Sequence, residues 1–289
     1  MPFKADLHNH LRTSVLIREG DFDSVCDIVM KRLGPSGVMG LCNFGDDRYE
    51  RFISLKGYER EYLDKEKRGI KIVVPGSTGV EYPIFIVKGQ EIPAKQGHLL
   101  VLGLPTDVHL KHGQTLEDTI KQVKDYNGIV IADHPFHIEG CGPYLKKNPE
   151  VLEQLDAIEI FNGEASLPFL FKWFANHNAQ RFYESVRLDF PNLGGLSSSD
   201  GHSFSEIGQS YNILRDNGGM LSKRIPKSDF FGRLKYLIND HRSFDGDKRS
   251  GIFGVKGAVK HCFSLAYYVG EIYVLGEKYR QIETLQHLR

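Results

Sequence analysis

Residues 129–133 read IVIAD and residues 157–161 read AIEIF. Both runs are apolar without the alternation of a half-exposed strand, a pattern that is typical of parallel strands covered on both faces. Stretches with helical periodicity separate these runs from each other and from similar runs elsewhere in the chain. This repeated strand–helix–strand order predicts an α/β domain, either a barrel or a doubly wound sheet.

The same alternation extends from these two runs towards both ends of the chain. Further strands are predicted in residues 5–10, 37–44, 70–76, 82–89, 98–104 and 194–202, and the two starting runs extend over 128–135 and 157–163. Helices are predicted over residues 21–34, with Asp21 or Asp23 as the cap, and over 58–68, 115–126 with Thr115 as the cap, 149–155 and 165–181.

Composition and charge limit the kind of protein. The chain has 289 residues, of which 40% are hydrophobic and 26% charged, as in a soluble globular domain. Lys+Arg and Asp+Glu balance at 37 each, so no global basic field attracts nucleic acid, although a local groove stays open as an alternative. Residues 1–10 carry no signal-like apolar run, and no segment is long enough to span a bilayer. We therefore expect a cytoplasmic protein that does not enter membranes.

The cysteines agree with that location. Cys26, Cys42, Cys141 and Cys262 lie far apart without a CxxC pair. This spacing indicates reduced thiols, not a disulfide framework or a zinc ribbon.

Polar residues interrupt the apolar runs where the predicted strands end. In parallel α/β folds this edge of the sheet is where sites are built. The chain has only 12 histidines, and several of them fall at these ends. The residues in question are His8, His10, Glu91, His134, Glu159, Asn162, Asp200 and His202.

Two short motifs at opposite ends of the chain have the spacing of metal ligands. His8 and His10 are two residues apart on an extended strand, so their side chains share one face and can bind one cation. Asp200 and His202 repeat this arrangement, with Gly201 between them. Imidazole and carboxylate ligands without nearby thiolates suit zinc, manganese or iron. Asp6 shares the face of His8 and is expected either to orient a histidine or to bind directly.

The ordered set of motifs resembles the polymerase and histidinol phosphatase (PHP) family. The motifs are DLHNH at 6–10, GQE at 89–91 with GHLLVLG at 97–103, IADHP at 131–135, IEIFNG at 158–163 and SSSDGHS at 197–203. The resemblance covers roughly residues 3–215 and implies an irregular seven-stranded (β/α)7 TIM-like barrel. It also implies a metal-dependent hydrolase of phosphoric esters, acting on small phosphomonoesters or on nucleotides and nucleic-acid ends.

Carried over position by position, the resemblance implies two sites that share one carboxylate. One metal would be held by His8, His10, Glu91 and Asp200. Glu91 would bridge to a second metal, completed by His98 and His134. Glu81, in Gly79-Val80-Glu81, is the alternative to Glu91, which we prefer because His98 and LLVLG follow it at the family spacing.

The third metal site of the family is where this chain departs from the pattern. His202 belongs to that site in the family. Val15 stands where the family has an Asp or His, and Cys42-Asn43-Phe44 stands where it has Thr-Asp-His. We therefore expect two divalent ions (Zn, Mn or Fe) and no third, unless Asn43, Asp46 or Asp47 substitutes. The departure also leaves room for a weakened activity.

The expected mechanism is attack by a metal-activated hydroxide on a small phosphorylated substrate. Asp200 and His202 are the predicted catalytic residues: Asp200 accepts a proton from the water, and His202 acts as general acid or contacts the phosphate. Arg12 and Lys95 could bind the phosphate, and Asn162 with Glu159 either contacts substrate or holds neighbouring loops. His137 either lines the pocket or lies in a solvated loop.

The alternatives are hydrolysis of a non-phosphate bond, as in amidohydrolase-like barrels, and a binding or regulatory protein. Residues 1–220 are predicted to form the barrel and residues 221–289 a helical C-terminal extension. That extension either packs on the barrel or forms a homodimer.

Overall fold

The computed structural model describes residues 2–11, 20–76, 79–164, 173–215, 230–240 and 244–245. The strands within these residues are β1 Pro2–Asp6, β2 Val38–Asn43, β3 Arg60–Tyr62, β4 Gly69–Pro75, β5 Glu81–Ala94, β6 Gly97–Leu102, β7 Ile129–Ala132, β8 Ala157–Asn162, β9 Gly194–Ser198, β10 Asn212–Arg215 and β11 Phe244–Asp245. The α-helices are α1 Asp21–Leu33, α2 Arg48–Ser54, α3 Leu116–Asp125, α4 Gly142–Lys147, α5 Trp173–Val186 and α6 Phe230–Asn239, and a 3-10 helix spans Pro149–Gln154.

The strands form a mixed sheet that curves into a nearly closed barrel. Its order is β11-β10-β1-β2-β5-β6-β7-β8-β9, with β4 paired to β5 and β3 to β4 outside this path. The barrel closes where the segment after β1 meets the segment after β9. There Asn9 forms a parallel bridge with Gly201, and the His10 amide donates to the Gly201 carbonyl at 2.7 Å. On the same seam, the Asn212 side chain donates to Ser197 O and accepts from Ser197 N, both at 2.8 Å.

The α/β class and the barrel are confirmed, while the (β/α)7 repeat stays a prediction. The pairs β1–β2, β2–β5, β7–β8 and β8–β9 are parallel, but β4–β5, β5–β6 and β6–β7 are antiparallel. No described helix separates β4 from β5 or β5 from β6. This antiparallel pairing matters for the site, because it brings the start of β6 to the same edge as the end of β5.

Alternate residues of the strands fill the barrel interior. Phe3, Phe85, Val87, Ile129 and Ile131 belong to one buried cluster that also contains the apolar face of α6. Helix α6 meets the strands at their far end from the candidate site, since a side chain on Gly194 at the start of β9 would contact the Ile238 carbonyl. The described part of the C-terminal region therefore closes the bottom of the barrel.

The outer face of the barrel is covered by the other helices. In α3, Leu116, Ile120 and Val123 form the buried stripe that packs on β6 and β7. The predicted cap of this helix is confirmed, because Thr115 Oγ1 accepts from the Asp118 amide at 3.1 Å. The predicted caps of α1 are wrong: the N-cap is Gly20 at φ 87°, and Asp21 and Asp23 lie in the first turn, where they complement the helix dipole.

The predicted helix over residues 58–68 is absent from the structure. Its place is taken by the short strand β3, which pairs with β4, followed by a turn in which Asp64 accepts from the amide and the guanidinium of Arg68. The physical reason is that Leu63 is the apolar residue of this segment that reaches the core, and a helix needs a whole apolar stripe to bury.

The predicted helix at 165–181 and the predicted C-terminal extension are each only partly covered by the described residues. Helix α5 ends at Val186, five residues beyond the predicted end, and residues 165–172 of the predicted helix lie outside the described residues. Of the predicted extension, α6 and β11 are described, β11 pairs with β10, and residues 246–289 lie outside the description. No helix among the described residues is both long and apolar enough to cross a bilayer.

Candidate metal centre

The site lies at the end of the barrel opposite α6. There Asp6 connects the N-terminal motif at 6–10 to the motif at 197–203. Strand β1 ends at Asp6, whose buried carboxylate accepts from the Ser199 amide at 3.0 Å and from the Gly208 amide at 2.7 Å. Burial raises the pKa of Asp6 to about 6. Both of its oxygens are engaged by backbone amides, so Asp6 orients the His8 and Asp200 segments.

The first group of ligand atoms joins the HxH motif to Glu91. His8 Nε2 and His10 Nε2 lie 3.0 Å apart, and His10 Nε2 is 3.1 Å from Glu91 Oε2. His8 Nε2 is 3.8 Å from the same oxygen. Asp200 Oδ1 lies 3.4 Å from His8 Nε2 and 3.6 Å from His10 Nε2, so the four predicted ligands of one ion come together.

The second group surrounds the other oxygen of Glu91. Glu91 Oε1 is 2.6 Å from His98 Nδ1 and 3.3 Å from His134 Nε2. Asp133 joins this group, since its Oδ2 lies 3.3 Å from His134 Nε2. One ligand atom from each of these four residues lies within 4.8 Å of the others. The two oxygens of Glu91 thus face two different histidine sets.

Asp200 and His202 stand beside the first group. The His202 ring stacks on that of His10 with a centroid distance of 4.7 Å. His202 Nδ1 is 3.0 Å from the Asp200 carbonyl oxygen, and the His202 amide donates to Glu206 at 2.7 Å. His202 is partly exposed whereas His8 and His10 are buried, so it lies on the solvent side of the cluster.

Glu159 and Asn162 support the cluster from β8. His8 Nδ1 lies 3.3 Å from Glu159 Oε1, and the His134 amide donates to Glu159 Oε2 at 2.8 Å. Asn162 Nδ2 donates to Glu159 Oε2 at 2.8 Å and to Asp200 Oδ2 at 3.1 Å. In this arrangement the Asn162 amide orients two carboxylates.

Burial and the neighbouring carboxylates set the protonation of the imidazoles. Burial lowers the pKa of His8, but the charges of Asp133 and Asp200 outweigh it and hold that pKa well above its usual value. Burial also lowers the pKa of His134, but the negative charges of Asp133 and Glu91 outweigh this effect and raise that pKa well above its usual value. For His10 burial dominates and lowers the pKa to about 3.

The carboxyl groups divide into two kinds. Burial opposes ionisation of Glu91 and Glu159, but the surrounding histidines outweigh it and hold the pKa of Glu91 well below its usual value and that of Glu159 at about 2. For Asp133 and Asp200 burial dominates and raises the pKa to about 7 and about 6.

The residues present fit divalent cations. Both oxygens of Asp133 and Oδ1 of Asp200 are buried without a hydrogen bond, an arrangement that is costly unless a cation or a proton compensates it. Glu91, Asp133, Glu159 and Asp200 are four buried carboxylates, and two divalent cations would balance their formal charge. Imidazole and carboxylate ligands suit manganese, iron or zinc.

Backbone conformation supports the same location. His134 and Asp200 adopt positive φ angles of 22° and 49°, and Leu11, next to His10, adopts 61°. Such conformations cost about 1–3 kcal/mol for residues other than glycine and cluster at functional sites. The positive φ of His134 allows the adjacent residues Asp133 and His134 to place both side chains in the same cluster.

Asp133 was missed as a candidate ligand, although the sequence carries a signal for it. Ile129 and Ile131 face the barrel interior, so a period of two places Asp133 on that face as well. Glu159 follows Ala157 in the same way on β8. An acidic residue in phase with buried aliphatic residues at a strand end is therefore the pattern that identifies both.

The remaining predicted residues lie around this cluster or outside the description. Lys95 is exposed on the turn between β5 and β6, close in sequence to His98, and Glu81 is exposed at the opposite end of β5. Arg12 and Val15 lie outside the described residues. His137 is half-buried, with its ring centroid 5.4 Å from that of His134.

The suggested substitutes for a third metal site are engaged elsewhere. Asn43 accepts from the Tyr49 amide and donates to Glu50, and Asp46 pairs with Arg48 at 2.8 Å. Asp47 pairs with Arg51 at 2.6 Å. Phe44 packs its ring between the two groups, with centroids 6.3 Å from His10 and 6.1 Å from His98.

Comparisons with known proteins extend these observations. No protein-family model matches the chain. PsfC from Pseudomonas syringae PB-5123 is a solved structure with TM-score 0.55 and 16% identity, covering 93% of this chain and 98% of its own, which shows a shared fold. The lesion-specific endonuclease PfuEndoQ from Pyrococcus furiosus gives TM-score 0.47 and 12% identity over 80% of this chain and 56% of its own, a score too low to establish a shared fold.

A curated relative matches over a shorter stretch. Uncharacterized protein MJ1587 from Methanocaldococcus jannaschii is 31% identical over 85 residues, which are 29% of this chain and 46% of that protein. The chain thus spans about half the length of the curated relative that it matches.

Proposed function

We propose that the protein is a metal-dependent hydrolase of the PHP type, and that it cleaves the phosphate ester of a small phosphomonoester or nucleotide. The observation that carries the proposal is the placement of Glu91 between two histidine sets. Its Oε2 lies 3.1 Å from His10 Nε2, and its Oε1 lies 2.6 Å from His98 Nδ1. A carboxylate in this position is suited to bridge two divalent cations.

Divalent cations bound there would supply an acidified water and would polarise the phosphoryl oxygens, roles that together would lower a barrier by several kcal/mol. The residues that would hold them are His8, His10, Glu91, His98, His134 and Asp200, with His202 adjacent to the first position. We propose two such ions, Mn, Fe or Zn, and no third. Supporting this number, Asn43, Asp46 and Asp47 are each engaged in other contacts.

Asp200 and His202 are the proposed proton carriers. Asp200 Oδ1 is buried, lies against both histidines of the HxH motif and makes no hydrogen bond, so it is available to accept a proton from water. His202 stands on the solvent side, with Nδ1 facing the Asp200 carbonyl at 3.0 Å. A carbonyl only accepts, so in the proposed role His202 donates a proton from Nδ1 to it. A second proton on Nε2 would then be the one delivered to a leaving group.

Few side chains are candidates for binding the substrate. Lys95 is exposed beside the β5–β6 turn and is a candidate for holding a phosphate, as is Arg12. Asn162 is proposed to affect substrate binding indirectly, because it orients the carboxylates of Glu159 and Asp200. The formal net charge of +0 favours a small substrate over a long nucleic acid. Three buried free cysteines among the described residues agree with a reducing, cytoplasmic location.

The test is hydrolysis by the full chain, loaded with Mn²⁺ or Zn²⁺, of a panel of phosphomonoesters, nucleotides and short DNA duplexes. Carboxylic esters and amides belong in the same panel. We expect turnover of a small phosphate ester that depends on added metal. Turnover of amides alone would favour an amidohydrolase-like reaction, and no turnover by a chain that binds both metals would favour a binding protein.

A further inference from the structure

We propose that Asp133 is a direct ligand of the second divalent cation, completing a set with Glu91, His98 and His134. The inference rests on the proposed function, because it assumes that a cation binds at this position. It adds a ligand that the HxH, GQE and DGH motifs do not contain. The second position would then hold two imidazoles and two carboxylates, as the first does.

The location of Asp133 is the first argument. It directly follows β7, in phase with the inward-facing Ile129 and Ile131, so its side chain continues the lining of the barrel into the site. The residue is 0% exposed, and its Oδ2 lies 3.3 Å from His134 Nε2. Bulk water therefore does not reach this carboxylate.

The second argument is that neither oxygen of Asp133 makes a hydrogen bond, and that the imidazole nitrogens closest to them also face other carboxylates. Asp133 Oδ1 lies 3.2 Å from His8 Nδ1, but that nitrogen also lies 3.3 Å from Glu159 Oε1. If His8 and His134 use Nε2 as ligands, the one Nδ1 proton of His8 is shared between Glu159 and Asp133 Oδ1, and Asp133 Oδ2 is left without a donor. Burying an ionised carboxylate without compensation is strongly unfavourable; a cation between Asp133 and His134 would remove that penalty, as a proton on Asp133 would when the cation is absent.

The alternative role for Asp133 is to orient His8 or His134 through a hydrogen bond. The two roles differ in what they need from the side chain. An orienting acceptor needs an oxygen, which asparagine retains, whereas a ligand also needs the negative charge. Asp133→Asn, nearly identical in size, therefore separates them.

The experiment measures Mn²⁺ binding by isothermal titration calorimetry and metal content by mass spectrometry, for the full-length wild type, Asp133→Asn and Asp156→Asn. Asp156 is the control, because it is also a buried carboxylate next to a barrel strand but pairs with Lys235 at 3.0 Å. We expect Asp133→Asn to weaken one of two sites by at least about 100-fold, beyond the effect of losing an outer-shell partner. Asp156→Asn should leave both affinities within about twofold of the wild type.

A second variant gives a positive signal that does not depend on loss of binding. In Asp133→Cys loaded with Co²⁺, coordination by residue 133 produces a thiolate-to-cobalt charge-transfer absorption that the wild type lacks. Unchanged Mn²⁺ affinities in Asp133→Asn, together with no such absorption in Asp133→Cys, would overturn the inference while leaving the proposed function intact. A wild type that binds no Mn²⁺ would instead remove the proposed function.

Discussion

Glu91 Oε1 and His98 Nδ1 lie 2.6 Å apart across the hairpin that joins β5 to β6. Pairing in this hairpin places Pro93 opposite His98, so the start of β6 meets the end of β5 at the barrel edge. His98 is thereby brought to a site that is otherwise built from the carboxyl ends of strands. Most consequences of the proposed chemistry can be tested through these two side chains and their neighbours.

Replacing Glu91 by Gln should weaken binding of both cations, because the neutral amide lacks the negative charge that both would share. We expect metal content to fall from two ions per chain to at most one weakly held ion, and hydrolysis to fall by at least about 1000-fold. Metal analysis after desalting and steady-state assays provide the measurements. Glu81→Gln is the matched control on the same strand, since Glu81 is exposed at its other end; a larger effect of that control than of Glu91→Gln would move the site to Glu81.

His8→Ala and Asp200→Ala should each abolish hydrolysis while the fold survives. Both side chains point into the cluster, and their loss removes a ligand or the proton acceptor, for an expected decrease of at least about 1000-fold. Activity assays and circular dichroism check the two halves of this prediction. His177→Ala, in an exposed position on α5, should behave as wild type. Full activity in either site variant would remove the proposed mechanism.

Affinity for Mn²⁺ should strengthen as the pH rises through the neutral range. Burial lowers the pKa values of His8 and His134, but their carboxylate neighbours outweigh it and raise them. A raised pKa means that these rings hold protons which a cation must displace, so binding releases protons and is weaker at low pH. His10, with its pKa lowered to about 3, contributes no such release. Titration calorimetry in two buffers of different ionisation enthalpy measures the released protons, and a pH-independent affinity without release would contradict the assignment.

Lys88→Met should lower the free energy of unfolding by about 3–5 kcal/mol, because it breaks a buried ion pair and leaves one partner uncompensated. Lys88 Nζ lies 2.7 Å from Glu50 Oε1 and donates to the carbonyls of Pro105, Thr106 and Val108 at 2.8–3.0 Å. Urea unfolding of this variant, with the exposed Lys121→Met as control, measures the difference. Equal midpoints for the two variants would show that this anchor of residues 105–108 contributes little.

Local sequence patterns were sufficient for much of the fold. The apolar runs at 129–132 and 157–162 form β7 and β8, and Thr115 caps α3 as its position indicated. The segment 58–68 was misread because its charged residues allow a helix, while the pairing of β3 with β4 depends on a distant partner. A single sequence does not display such long-range pairing.

The clustering of the candidate residues was predictable where they lie close together in the sequence, and less so where it depends on side-chain geometry; their role as ligands stays a prediction. His8 and His10 were identified from a two-residue spacing, and Asp200 and His202 in the same way. Asp133 was missed because it precedes the more conspicuous His134, although its phase with Ile131 points inward. The engagement of Asp46 by Arg48 was not visible either, since it is set by side-chain geometry in a loop.

Electron paramagnetic resonance of the wild type loaded with two equivalents of Mn²⁺ tests the bridging role of Glu91 most directly. Two ions joined by its carboxylate should give an exchange-coupled multiline spectrum, which Glu91→Gln loses. A spectrum of isolated six-line ions in the wild type, or no bound Mn²⁺ at all, would contradict the shared site.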